Sequence, residues 1–264
     1  MLTLVPFALY SIAAVLIVRA ALRGEESSPK LALLAALLAV ISHSWLLFGV
    51  IRHEQGYALT IADSASLVGW VIGATTLIAL PFAGLRAIPA VLFALAGLLG
   101  LRADWPRAFR EVVPPAWELK VHIALSMLAF GWLAIGAVLV VLCAIADRRL
   151  RKRQPLGWTR ILPSLERMER LLFAALAWGF VALSASLFTG LFFVHDPRAQ
   201  HLSHLLTLSA AAWALFAVLL YGRWRWGWRG RKALRFTLGG FGALALAYFG
   251  SKFVLEVVLG RHWG

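Results

Sequence analysis

The chain has 264 residues, of which 61 % are apolar and only 14 % charged, whereas a soluble globular domain carries about 25 % charged residues. So little polar surface cannot cover so large an apolar core, which excludes a soluble enzyme, a disordered chain and a secreted disulfide scaffold and leaves an integral membrane protein. The net charge of +14 would mark a soluble protein as a nucleic-acid binder; here it asks which side of a bilayer the cations occupy.

Charges and helix breakers divide the sequence into eight apolar stretches near the roughly twenty residues needed to cross a bilayer. Span 1 runs from Leu2 to Val18 and stops at Arg19 and Arg23. It begins apolar at once, with no basic stretch before it and no small-residue cleavage pattern after it, so it is expected to be a retained span. Span 2, Leu31 to Ile51, is opened by Ser28-Pro29 as cap and first-turn proline. Span 3, Ser64 to Phe82, takes Asp63 as its cap. Span 4, Ile88 to Leu101, is short for a crossing and also suits a buried or re-entrant helix.

After a polar stretch containing Pro106, Pro114 and Pro115, span 5 runs from Leu119 to Ala146. Span 6 starts at Pro163-Ser164, passes an amphipathic turn at Glu166 to Arg170, and reaches Val194. Spans 7 and 8 run Leu205 to Tyr221 and Phe236 to Leu259. The expected fold is all-α: one polytopic domain over residues 1–264 with about eight transmembrane helices.

Loops after spans 1, 3, 5 and 7 collect eighteen of the 26 Lys and Arg residues, mostly in Arg148–Arg170 and Arg223–Arg235. Lys and Arg accumulate in short cytoplasmic loops, so both termini are expected outside. The basic runs therefore sit where topology puts them, and no nucleic-acid partner is expected. Trp105, Trp117 and Trp263 fall at the outer boundary and Trp224, Trp226 and Trp228 at the inner one, as interfacial anchors in contact with the lipid bilayer.

Chemical motifs are sparse. The single cysteine, Cys143, lies in an apolar run and excludes internal disulfide or dithiol chemistry. Acidic residues lie in loops or at span ends except Glu256, one turn from Lys252 and expected to pair with it, which disfavours proton-coupled transport. No nucleophile elbow, Walker loop or dinucleotide fingerprint is present, and the protein is not expected to be an enzyme.

The seven histidines all fall in the outer half or beyond. His43 is two-thirds of the way up span 2, His53 just past it, and His122 in the first turn of span 5. His195, His201 and His204 belong to the loop between spans 6 and 7, and His262 follows span 8. Neutral imidazole is the usual protein ligand for haem iron and for several divalent metals, and His201 with His204, three apart, could clip a metal. Interfacial histidines also simply hydrogen-bond to headgroups and water.

Two stretches carry a family resemblance. V-H-I-A-L-S-M-L-A-F-G-W-L (Val121 to Leu133) resembles the H-x-x-x-S-x-x-x-(Y/F) start of a core helix in the cytochrome c assembly proteins, the CcsA/CcmC/HemX group. G-W-R-G-R-K-A-L-R-F with the following Y-F-G-S (Gly227 to Ser251) resembles that group's C-terminal signature. The resemblance implies a haem-handling protein of a bacterial inner membrane, with outer histidines as haem-iron ligands. By position His122 matches one of these and His262, in L-G-R-H-W-G, a second; His43 is a third candidate. Trp45, Trp117 and Trp263 would flank the ring.

Two departures are informative. The loop between spans 6 and 7 reads F-V-H-D-P-R-A-Q-H-L-S-H instead of the tryptophan-rich W-x-W-D segment, and Tyr221 replaces a family histidine. The nearest match is therefore the HemX/YpjD branch, which implies an accessory or regulatory role beside cytochrome c assembly or haem-synthesis proteins. The alternative is a cofactor-free membrane scaffold or regulator that meets a cytosolic partner through the basic loop Asp147 to Pro163.

Overall fold

In the computed structural model, residues 4–25, 29–51, 59–82, 85–101, 117–153, 157–193 and 203–254 are described. All of their regular structure is helical: α1 (Leu4–Leu22), α2 (Lys30–Ile51), α3 (Ile61–Ala79), α4 (Ile88–Gly100), α5 (Trp117–Arg151), α6 (Leu165–Phe193), α7 (Ser203–Trp226) and α8 (Arg231–Ala245). A 3-10 turn, Gly157–Ile161, precedes α6, and α8 continues through a π-helical turn, Leu246–Gly250, into Ser251–Phe253.

Seven helices among the described residues are long and apolar enough to cross a membrane, and α4 is the shorter exception. Its 13 residues reach about 20 Å at 1.5 Å per residue, short of a hydrocarbon core of about 30 Å.

The chain divides into two compact units, one formed by Met1–Phe109 with Arg148–Arg167 and the other by Arg110–Asp147 with Met168–Gly264. In the first, α1 packs against α2 and α4, and α3 packs against α2 and α4, closing a ring of four helices. The contacts follow helical periodicity. Pro6, Tyr10, Ala13, Ile17 and Ala20 are the buried face of α1, and Ala32, Ala36, Ala39, His43 and Leu47 lie on one face of α2. Alanine at half of these positions lets the two backbones approach, which is how helices associate where lipid is as apolar as leucine. The opposite face of α2 presents Leu34, Leu38, Ile41 and Trp45 outward.

The 3-10 turn belongs to this first unit. Ala87 N donates to Ile161 O at 3.3 Å and the Arg86 guanidinium to Arg160 O at 3.3 Å. Part of the basic segment expected as an exposed loop is thus folded against the start of α4.

The second unit repeats the ring. A Cβ at Gly136 would meet the Leu176 side chain, and one at Gly179 the Leu133 side chain, so α5 and α6 interlock through glycine notches. Trp213 stacks on Phe180, joining α7 to α6. Gly240 lies against the Phe216 ring between α7 and α8. Phe130 of α5 meets Tyr248 and Phe249 of the π-helical turn and closes the ring.

Several boundaries differ from the expected ones, for two reasons. α3 starts at Ile61 and its cap is Thr60, with Asp63 as the third residue; each side chain bonds the other's backbone N–H, a capping box. The apolar run alone placed the start three residues late. At their C-terminal ends α5 and α7 extend beyond their apolar runs into basic sequence, where cations are favoured by the helix dipole, and α8 begins in basic sequence at Arg231. Arg and Lys are good helix formers. The cations of Arg223–Arg235 therefore ride mostly on helix ends, around a short turn at Gly227 to Gly230, both with positive φ of 65° and 60°. The expected Lys252–Glu256 pair lies partly outside the described residues; Lys252 itself is buried, with Nζ 5.5 Å from the Tyr248 ring centre.

Candidate functional site

The two described histidine side chains occupy opposite chemical situations, one in each unit. His43 is fully buried. Its Nε2 is hydrogen-bonded to Ser66 Oγ of α3 at 2.9 Å, and Nδ1 makes a long contact of 3.5 Å with Tyr10 Oη of α1. Tyr10 stands edge-on to the imidazole at 6.0 Å and stacks on Phe93 of α4 at 5.7 Å. A Cβ on Gly100 would lie 3.1 Å from His43 Cε1, and one on Gly73 would collide with the Tyr10 hydroxyl. The glycines are there to admit the two rings. Beside this cluster Trp70 Nε1 donates to Ser44 Oγ at 2.8 Å.

Tyr10 is near the start of α1, His43 near the end of α2, Ser66 near the start of α3, and Gly100 at the end of α4. All four meet at one end of the unit, as an up-and-down arrangement requires.

His122 is half-buried on the second turn of α5, where the side chain reaches α6. Its Nδ1 lies 3.0 Å from Ser186 O and 3.2 Å from Thr189 Oγ1. A carbonyl only accepts, so Nδ1 carries the proton and donates. The Thr189 hydroxyl spends its own proton on Ser186 O at 2.9 Å, which leaves its oxygen as the acceptor towards His122. Ser126 Oγ, donating to His122 O at 2.8 Å, stands 2.7 Å from Ser186 Oγ and ties the two helices together. A Cβ at Gly190 would sit 3.0 Å from His122 Cε1, so a glycine is what lets the imidazole approach α6.

These bonds fix the tautomer. With the proton on Nδ1, Nε2 keeps its lone pair, and among the described residues nothing hydrogen-bonds to it. An imidazole held by Nδ1–H on a backbone carbonyl, with Nε2 presented as an electron-pair donor, is the form in which histidine binds metals.

Of the remaining histidines, His53, His195, His201 and His262 lie outside the described residues, as does Trp263. His204 is the second residue of α7. No three His, Cys, Asp or Glu side chains converge on a common point among the described residues. Trp45 is 75 % exposed, two residues from His43 and on the other side of α2, so it does not flank that ring. Trp117, one turn before His122, is also exposed.

The sequence offered no direct sign of Ser186, Thr189 or Tyr10. Glycines in the middle or last turn of apolar helices, Gly73, Gly100 and Gly190, were the available clue, since such a glycine often marks a close approach.

The fold and this site define a polytopic α-helical membrane protein that presents a tautomer-fixed histidine near one end of a four-helix unit. Sequence comparison says which. The description of the cytochrome c assembly proteins matches residues 31–259, and the chain belongs to that family. It is 31 % identical over 253 residues to the inner membrane protein YpjD of Escherichia coli strain K12, covering 94 % of this chain and 95 % of that protein, and equally so to YpjD of Escherichia coli O157:H7. An uncharacterized 28.8 kDa protein of Azospirillum brasilense is 34 % identical over 153 residues, 57 % of this chain and 56 % of that one. No solved structure matches.

Proposed function

We propose that the protein is a haem-handling protein of the bacterial inner membrane, accessory or regulatory rather than enzymatic, and that His122 would hold the haem iron through Nε2. The observation that carries the reading is the pair of Nδ1 hydrogen bonds to Ser186 O and Thr189 Oγ1, which leave the other nitrogen as an electron-pair donor. Membership of the cytochrome c assembly family supports haem as the ligand. The residues fit such a group: a neutral imidazole, an anchoring carbonyl, and a glycine that keeps the helix backbone clear of the ring. Bound haem would supply an iron centre, and His262 would be the other histidine to hold it in this proposal.

His43 is assigned a structural role. Its ring is enclosed by Ser66, Tyr10 and Gly100, and ligation through Nε2 would break the 2.9 Å bond to Ser66. The charge asymmetry supports an outer position for the His122 end of the second unit.

The test is a reduced pyridine haemochrome spectrum of detergent-purified protein, with His122→Ala and His43→Ala compared after adding haem. A haem band that His122→Ala loses and His43→Ala keeps is expected. No band in the unaltered protein, or a band indifferent to His122→Ala, overturns the assignment.

A further inference from the structure

Opposite the His122 end, the second unit finishes in a cluster of aromatic and basic side chains. α6 runs antiparallel to α5 and α7: His122 meets Ser186 and Gly190, whereas the Arg223 guanidinium lies 4.5 Å from the Phe173 ring centre. Thirteen residues of α6 separate Phe173 from Ser186, about 20 Å along the helix.

The turn here is built, not loose. The Trp228 indole folds over Gly222, where any Cβ would collide with it, and stacks on Trp226 at 5.7 Å and near Phe236 at 5.5 Å. Arg223 donates to Trp228 O at 3.4 Å, and Lys232 Nζ lies 4.7 Å over the Trp228 ring. Around this frame Trp224 is 80 % exposed and Trp226 60 %. Arg225, Arg229, Arg231, Lys232 and Arg235 are exposed as well.

The two basic segments of the chain differ in their counter-charges. Arg148–Arg170 is accompanied by Asp147, Glu166 and Glu169, and its Arg149, Arg151 and Arg167 engage partners. Arg223–Arg235 contains no Asp or Glu, and Arg225, Arg229, Arg231 and Arg235 pair with no acidic side chain among the described residues. Topology alone requires cations on this side; it does not require them unpaired and gathered around exposed indoles on an ordered turn. Indoles settle at headgroup depth, and unpaired cations at that depth attract anionic headgroups.

We propose that the α7–α8 turn binds the phosphate headgroup of an anionic phospholipid, phosphatidylglycerol or cardiolipin in kind, with Arg225, Arg229 and Arg231 as the cationic contacts and Trp224 and Trp226 at the glycerol level. The site is independent of His122 and of any haem.

The experiment places the full-length protein in phosphatidylcholine nanodiscs doped with equal fractions of brominated phosphatidylglycerol or brominated phosphatidylcholine, and reads tryptophan quenching. Quenching by the anionic lipid should be several-fold stronger, and the half-saturating fraction of that lipid should rise about tenfold for Arg225→Gln/Arg229→Gln/Arg231→Gln. Arg148→Gln/Lys152→Gln/Arg153→Gln should keep it. Trp224→Phe/Trp226→Phe, which retains every charge, should lose the selective component and guards against a misassembled charge variant. Equal quenching by both lipids in the unaltered protein, or a selective component that survives removal of the two indoles, overturns the proposal; a protein partner at this turn would produce the first of these.

Discussion

His122 Nδ1 lies 3.0 Å from the backbone oxygen of Ser186, a residue 64 positions further along the chain. That single bond decides which imidazole nitrogen carries the proton, and so which one can donate an electron pair.

Thr189→Val removes the second acceptor of the Nδ1 proton while keeping the side-chain shape. Haem affinity should drop about tenfold, as is usual when a partner behind a metal-ligating histidine is lost, with thermal stability changed by about 1 kcal/mol. Haem titration followed at the Soret band measures it; an unchanged affinity would show that the Thr189 contact at 3.2 Å does not orient the ring.

Gly190→Ala puts a methyl group 3.0 Å from His122 Cε1 and 3.4 Å from Nδ1. The imidazole must swing away or α6 must shift, and overpacking of this kind costs about 1–3 kcal/mol. Haem retained through purification should fall more than in Thr189→Val, because the ring itself moves.

In the first unit the expectation is reversed. His43→Ala leaves a cavity and strips a partner from the buried Ser66 hydroxyl, a loss of about 2–4 kcal/mol and a Tm lower by several degrees in detergent. The haemochrome band should be unaffected. Gly73→Ala should abolish folded protein, with partial recovery in combination with Tyr10→Phe, because the hydroxyl is the first atom the new methyl group meets. No recovery of stability or yield in the double variant would place the conflict elsewhere on the ring.

Thr237 is fully buried on α8, and its Oγ1 has no hydrogen-bond partner among the described residues. Thr237→Val replaces an unsatisfied hydroxyl by a methyl group of the same shape, so stability should rise by up to about 1 kcal/mol. A thermal melt decides it: a lower Tm shows that the hydroxyl serves a bound group or water.

Orientation has its own test. In a Cys143→Ala background, Gln55→Cys should react with a membrane-impermeant maleimide in intact cells and Arg153→Cys should not. The converse labelling would invert the assignment drawn from eighteen of 26 cations.

Much of the architecture was legible in the sequence because a bilayer imposes a local rule. Each crossing helix must be apolar along its own length, so composition alone located the elements, and α4 was placed at Ile88 and ended within a residue of its actual Gly100. The same reading misplaced helix ends wherever capping or basic residues, not hydropathy, set them, as at Thr60 and Trp226. Position and resemblance also singled out His122.

By position alone His43 and His122 are alike, two histidines in outer halves of apolar helices, although the resemblance matched only His122. What the tertiary structure adds is the set of partners around each ring. Tyr10 and Ser66 come to His43 from 33 and 23 residues away, and Ser186 and Thr189 come to His122 from 64 and 67. Hydropathy and periodicity are properties of a stretch of chain. The proton on an imidazole is settled by a partner across the helix interface, and that partner is chosen by packing.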